Sequence, residues 1–209
     1  VHHACSLDRD SSFIVAGSCS AEGFTNPSFE TGNFTNNHPG DNTTTLGVGA
    51  TNIDGWTVIS AEVAWIGDPN PFALFASDGS RFLDLTSYPG GAGGVKQDLV
   101  TIPGYLYTIE FDLGSRAAYG DAFLSVRASD AQGEAGVAQY TQLGQSAARW
   151  ERNSFEFTAR EAVTSISFIH DFGGSNYTGL DNITVRSVAP APGALAVLGL
   201  AGLAGRRRR

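Results

Sequence analysis

Carboxylates, one histidine–aspartate pair and a set of tyrosines are what this sequence offers for chemistry. It has no H-E-x-x-H zinc site and no G-x-S-x-G nucleophile elbow, and its two cysteines, Cys5 and Cys19, precede the first convincing strand. His170 and Asp171 are neighbours on an apolar-alternating run, so their side chains point to opposite faces and cannot serve as base and orienter for each other. Asp84, Asp98, Glu110 and Asp112 remain as carboxylates that a glycoside hydrolase would need in facing pairs within ~10 Å. Glu110 and Asp112 alternate with apolar residues and read more simply as a polar outer face. The sequence therefore predicts a protein that binds without reacting.

Two carboxylates are candidates for a metal ion. Asp181 has the parity of Ile183 and Val185, which sends it toward apolar side chains, where a charge needs a partner. Glu30 follows Phe29 in an expected opening strand and would converge on Asp181 if the first and last strands pair. Hard oxygen ligands of this kind select Ca²⁺. The other reading makes Asp181 a turn residue accepting backbone N–H groups and leaves Glu30 in solvent. For sugar binding, flat aromatics must cover apolar sugar faces beside amides and carboxylates. The candidates in loops are Tyr88, Tyr119, Tyr140 and Tyr177, together with Trp150 between Arg149 and Glu151; Trp56 and Trp65 sit in apolar runs and read as core.

The elements that must hold these residues are strands. The 209 residues include 26 Gly, 13 Phe, 6 Tyr and no Met, with 16% charged residues, a composition of short strands and tight turns. Tyr105, Tyr107, Ile109, Phe111 and Leu113 alternate with Thr108, Glu110 and Asp112; Leu124, Val126 and Ala128 alternate with Ser125 and Arg127; Phe155 and Phe157 alternate with Ser154, Glu156 and Thr158. These patterns predict half-buried antiparallel strands. Nine to eleven such strands between Phe24 and Val188, with little helix before residue 190, give an all-β, jelly-roll-like antiparallel β-sandwich over residues 22–188.

Residues 189–209 are of another character: Ala189-Pro190-Ala191-Pro192, then Gly193 to Gly205 built from Gly, Ala, Leu and Val, then Arg206, Arg207, Arg208 and Arg209. The apolar run is shorter than the ~20 residues a spanning helix needs. Arginines beside it would hold that end on the cytoplasmic side and leave the body outside. A short C-terminal hydrophobic helix within a membrane is expected. Without those four charges the net charge goes from −8 to −12, a body that repels nucleic acid. Residues 1–21 are expected to be an N-terminal segment, with Ser18-Cys19-Ser20-Ala21 as the small-residue end of a remnant signal peptide.

The tail resembles the PEP-CTERM sorting signals of Gram-negative bacteria, with Ala191 where glutamate is usual. That resemblance implies an exosortase-like membrane protease as partner, transient anchoring in the inner membrane, and delivery to the cell surface or extracellular matrix. The body resembles the choice-of-anchor C group and, more loosely, carbohydrate-binding modules of the galactose-binding-like fold. The pieces that carry this are Asn26-Pro27-Ser28-Phe29-Glu30, Gly55-Trp56-Thr57-Val58, Phe82-Leu83-Asp84-Leu85, Gly93-Gly94-Val95-Lys96-Gln97, Pro103-Gly104-Tyr105 and Gly179-Leu180-Asp181-Asn182-Ile183. It implies a structural calcium and an extracellular polysaccharide partner. The expected function is thus a non-catalytic, exported polysaccharide-binding protein; a structural matrix or surface-layer component without a glycan site is the alternative, and a glycoside hydrolase the third.

Overall fold

The computed structural model describes residues 23–87, 91–144, 149–171 and 177–190. Thirteen strands run through them: β1 (Thr43–Gly47), β2 (Thr57–Ser60), β3 (Glu62–Gly67), β4 (Arg81–Asp84), β5 (Thr86–Ser87), β6 (Gly91–Ala92), β7 (Gly94–Val100), β8 (Leu106–Ser115), β9 (Ala122–Asp130), β10 (Gly133–Gln142), β11 (Arg149–Thr158), β12 (Val163–His170) and β13 (Gly179–Val188). One short 3₁₀ turn, Ala117–Tyr119, is the helical element among the described residues. Two antiparallel sheets face each other, one in the order β1-β3-β4-β13-β8-β11 and the other β10-β9-β12-β7-β2, with β5-β6 as a small hairpin. The tail from Ala191 to Arg209, its expected helix, and residues 1–22 lie outside the described residues. Among those described, no helix is long and apolar enough to cross a membrane.

Alternation along each strand decides which side chains enter the core. Tyr107, Ile109, Phe111 and Leu113 of β8, Leu124, Val126 and Ala128 of β9, and Phe155 and Phe157 of β11 are buried between the sheets. Trp56 and Trp65 join them, each donating its indole N–H to a main-chain carbonyl, that of Asn26 at 3.0 Å and that of Phe29 at 2.9 Å. A buried indole N–H without an acceptor would forfeit its hydrogen bond to water, so these carbonyls fix the course of the opening segment.

Two expectations about the ends of the chain are corrected. Residues 24–30 form turns and no strand, with positive φ at Asn26 and Phe29; the segment meets β13 through the Ile183 N–H donating to Pro27 O at 3.0 Å. In β13 the register shifts between Asp181 and Thr184, with Asn182 at φ 52°. This bulge places one extra residue opposite Phe111, so Leu180 and Ile183 both face the core while Asp181 pairs with Asp112 on the outer face. Period-2 counting from Ile183 across a bulge returns the wrong face.

Candidate functional site

The outer face of the six-stranded sheet carries the site. Its floor is set by register: Thr45 pairs with Ala64, Ala64 with Asp84, Asp84 with Gly179, Gly179 with Gly114, and Gly114 with Trp150. Side chains of this row lie on one face. The two glycines leave a trough into which the Trp150 indole drops: a Cβ at Gly114 would meet it at 2.7 Å and one at Gly179 at 2.9 Å. Phe82 meets Trp150 edge-on with centroids 5.5 Å apart, and Leu74 packs in the same cluster with Ile66 and Tyr177. This second, smaller core lies outside the sandwich and seats the β3–β4 loop on the sheet.

Carboxylates tie that loop down. Asp181 is 0% exposed, and its Oδ2 accepts from the Ser77 N–H (2.8 Å), the Ser77 hydroxyl (3.1 Å) and the Asp78 N–H (3.0 Å); its Oδ1 accepts from the Asn182 N–H (2.7 Å). Burial pushes its carboxyl up to about 7 despite these donors. Glu30 accepts from the N–H groups of Ser80 (2.9 Å) and Arg81 (2.7 Å) and from the Ser80 hydroxyl, with the Arg81 guanidinium 3.8 Å away. The Ser28 hydroxyl donates to Asp78 at 2.6 Å. The two residues expected to hold calcium are thus brought to one loop. As placed, their oxygens already accept from N–H and O–H donors, and a guanidinium lies beside Glu30. No three His, Cys, Asp or Glu among the described residues group so as to hold a metal ion.

Beside the seated loop, a cleft of about 640 Å³ opens over β1, β3 and β4. Its floor is Thr43, Thr45, Ala64, Ile66 and Asp84; His38, Asp41, Glu62 and Thr86 rim it; Phe72, Tyr119 and Tyr177 form an aromatic wall. Tyr177 stands in the middle of that wall, 5.4 Å from Tyr119 and 6.1 Å from Phe72 between centroids. Tyr119 remains 36% exposed and Tyr177 only 4%. The Tyr177 hydroxyl is buried without a hydrogen-bond partner among the described residues. Burial, with the Asp84 carboxylate nearby, raises this phenol well above its ordinary value.

Asp84 accepts at Oδ1 from the N–H groups of Thr86 (2.9 Å) and Thr178 (3.1 Å), and desolvation holds its carboxyl at about 7. The contact with Thr178 fixes the residues entering β13 and hence the pose of Tyr177. On the far side of Thr178, buried His170 places Nδ1 2.9 Å from the Thr178 hydroxyl. Asp171 instead receives the Gln139 amide, so the His170–Asp171 pair is divided between two faces.

Of the predicted sugar-binding aromatics, Tyr119 and Tyr177 come together in this cleft. Trp150 lies behind it, its indole N–H held by Phe75 O at 2.7 Å. Tyr140 is elsewhere, edge-on to Phe111 at 5.1 Å with its hydroxyl on Ser154 O. Tyr88 lies outside the described residues. Among the four carboxylates considered for hydrolysis, Asp84 alone lines the cleft. Asp98 is on the other sheet beside Lys96, and Glu110 and Asp112 pair with Arg152 and Arg186. His38, Asp41, Glu62 and Phe72 were missed by sequence reasoning; each comes from a loop or strand edge, and only the sheet register joins them.

A model of the family described as "Protein of unknown function (DUF642)" matches residues 22–184. No curated protein matches the sequence. Among solved structures, the K1 cleaved adhesin domain of Lys-gingipain from Porphyromonas gingivalis has a TM-score of 0.50 at 14% identity, covering 71% of this chain and 99% of that domain. The K2 cleaved adhesin domain of Lys-gingipain has a TM-score of 0.50 at 16% identity, covering 78% and 97%. TmCBM61 in complex with beta-1,4-galactotriose has a TM-score of 0.47 at 17% identity, covering 79% and 99%. At these identities the likeness concerns the fold alone.

Proposed function

The chain belongs to this family of proteins of unknown function, and from that starting point we propose that its cleft binds a polysaccharide without catalysing a reaction on it. The observation that carries this reading is the Tyr177 hydroxyl, buried in the aromatic wall with no partner among the described residues. An unmet buried polar group costs about 1–3 kcal/mol, and a small turn of the Tyr177 ring toward the cleft would let a ligand hydroxyl meet it. Phe72 and Tyr119 offer ring surface for a sugar's apolar face, while Thr43, Thr45 and Asp84 offer hydroxyl and carboxylate groups for its edge.

Export to the surface or matrix belongs to the same proposal. It is supported by the sequence of the tail, with Pro190-Ala191-Pro192, the apolar run and Arg206 to Arg209 as the features an exosortase-type system would read. Affinity electrophoresis of the full chain against a panel of β-glucans, β-1,4-galactan, xylan and hexosamine polymers tests the binding. Retardation that Tyr119→Ala weakens supports it; unchanged mobility across the panel refutes it and favours a structural matrix component.

A further inference from the structure

Seven carboxylates among the described residues lie in ion pairs: Glu30 with Arg81, Asp98 with Lys96, Glu110 and Asp112 with Arg152, Asp130 with Arg160, Glu134 with Arg127 and Glu151 with Arg149. Others, Asp54, Asp68 and Asp121 among them, are dispersed outside the cleft and lie in none. Asp41, Glu62 and Asp84, which line the cleft, are absent from every ion pair among the described residues. No lysine or arginine lines the cleft with them; His38 shares its rim, and Arg116 lies over the Tyr119 ring with its guanidinium 5.2 Å from the centroid. One guanidinium at the mouth leaves the carboxylates in excess.

These three acids are not grouped as metal ligands. They line a cleft of about 640 Å³, next to an aromatic wall and a buried phenol whose hydroxyl has no partner among the described residues. Such an arrangement suits a chain that bears several positive charges together with apolar faces and hydroxyl groups. We propose that the cleft selects glycans carrying free amino groups, such as partly de-N-acetylated hexosamine polymers. The inference rests on the cleft being a glycan site. The ammonium groups supply the counter-charges that the protein withholds from Asp41 and Glu62, and the same two carboxylates repel uronate-bearing chains. A lysine-rich peptide offers similar charges, but it has little use for the threonine floor and offers no ring faces to Phe72 and Tyr119.

The test is calorimetric titration of the full chain at about pH 6, where primary amines are protonated. The probes are a glucosamine hexamer, its fully N-acetylated form, cellohexaose, hexagalacturonate and hexalysine. The glucosamine hexamer is expected to bind about tenfold more tightly than the acetylated and neutral hexamers, an advantage that shrinks in ~0.5 M salt, with hexagalacturonate not bound. Asp41→Asn/Glu62→Gln should abolish this preference, so that the glucosamine hexamer binds no more tightly than the acetylated one. Equal or tighter binding of the acetylated hexamer overturns amine selection and leaves the glycan site standing. Binding of hexalysine with no oligosaccharide bound overturns both, as does the absence of any binding.

Discussion

Replacing Asp181 by alanine releases the loop that forms one side of the cleft, and the size of the effect can be worked out from its contacts. The carboxyl accepts four hydrogen bonds, three of them from the main-chain N–H groups of Ser77, Asp78 and Asn182. Alanine leaves those N–H groups without a protein acceptor at a residue that is fully buried, at about 1 kcal/mol each, so a loss of about 3 kcal/mol is expected. The measurement belongs at about pH 5.5, below the folded-state value of about 7, where the native carboxyl carries no desolvated charge. With a urea slope of about 2 kcal/mol/M, the unfolding midpoint should fall by about 1.5 M with the slope unchanged. Above pH 7 the loss should shrink, because the substitution then also removes a buried charge. The affinity for the retained glycan should drop in parallel, since Phe72 and Leu74 sit on the loop. A loss below about 1 kcal/mol at the lower pH, compared with the usual cost of an unmet buried donor, would show that the hydrogen bonds of Asp181 do not hold the loop.

Tyr177→Phe should have opposite effects on folding and binding: stability unchanged or raised by up to ~1 kcal/mol because an unpartnered buried hydroxyl is removed, with weaker glycan affinity; thermal melts and titration read both. Asp84 and Asp181 both have carboxyls raised from 3.8 to about 7, so the folded state holds more protons than the unfolded one between those values. Their contribution to stability is therefore full below about pH 4 and is lost as pH rises through about 7, and melts should show Asp84→Asn flattening that fall. Gly114→Ala, whose new Cβ would meet the Trp150 ring at 2.7 Å, should cost about 1–3 kcal/mol in urea denaturation. Calcium or a chelator should leave the melting temperature unchanged, because the oxygens of Glu30 and Asp181 already face protein donors; a calcium-dependent rise of several degrees would show that the ion displaces them.

The strands were legible because a half-buried strand writes its inner face into alternate residues. Tyr107 to Leu113, Leu124 to Ala128, and Phe155 with Phe157 all enter the core on the parity their pattern predicts. Tyr119 and Tyr177 could be picked out as candidate aromatics by type and by their place beside turns. What parity could not carry was the bulge at Asn182, whose left-handed backbone reverses the phase of β13 and moves Asp181 to the outer face. Nor could residue type separate Trp150, sunk over two glycines, from an exposed sugar platform.

The sequence by itself determined an antiparallel β-sandwich with buried Trp56 and Trp65, and a compositionally separate tail, since local alternation and composition are properties of contiguous residues. Only the tertiary structure decided the site. Asp84, Tyr119 and Tyr177 are separated by up to 93 residues and meet because β13 lies between β4 and β8. Asp181 and Glu30 became anchors of a loop because N–H groups of residues 77–81, far from both in the chain, donate to them. Which partner a buried carboxylate finds depends on strand order and register, and these are fixed by the packing of the whole sheet.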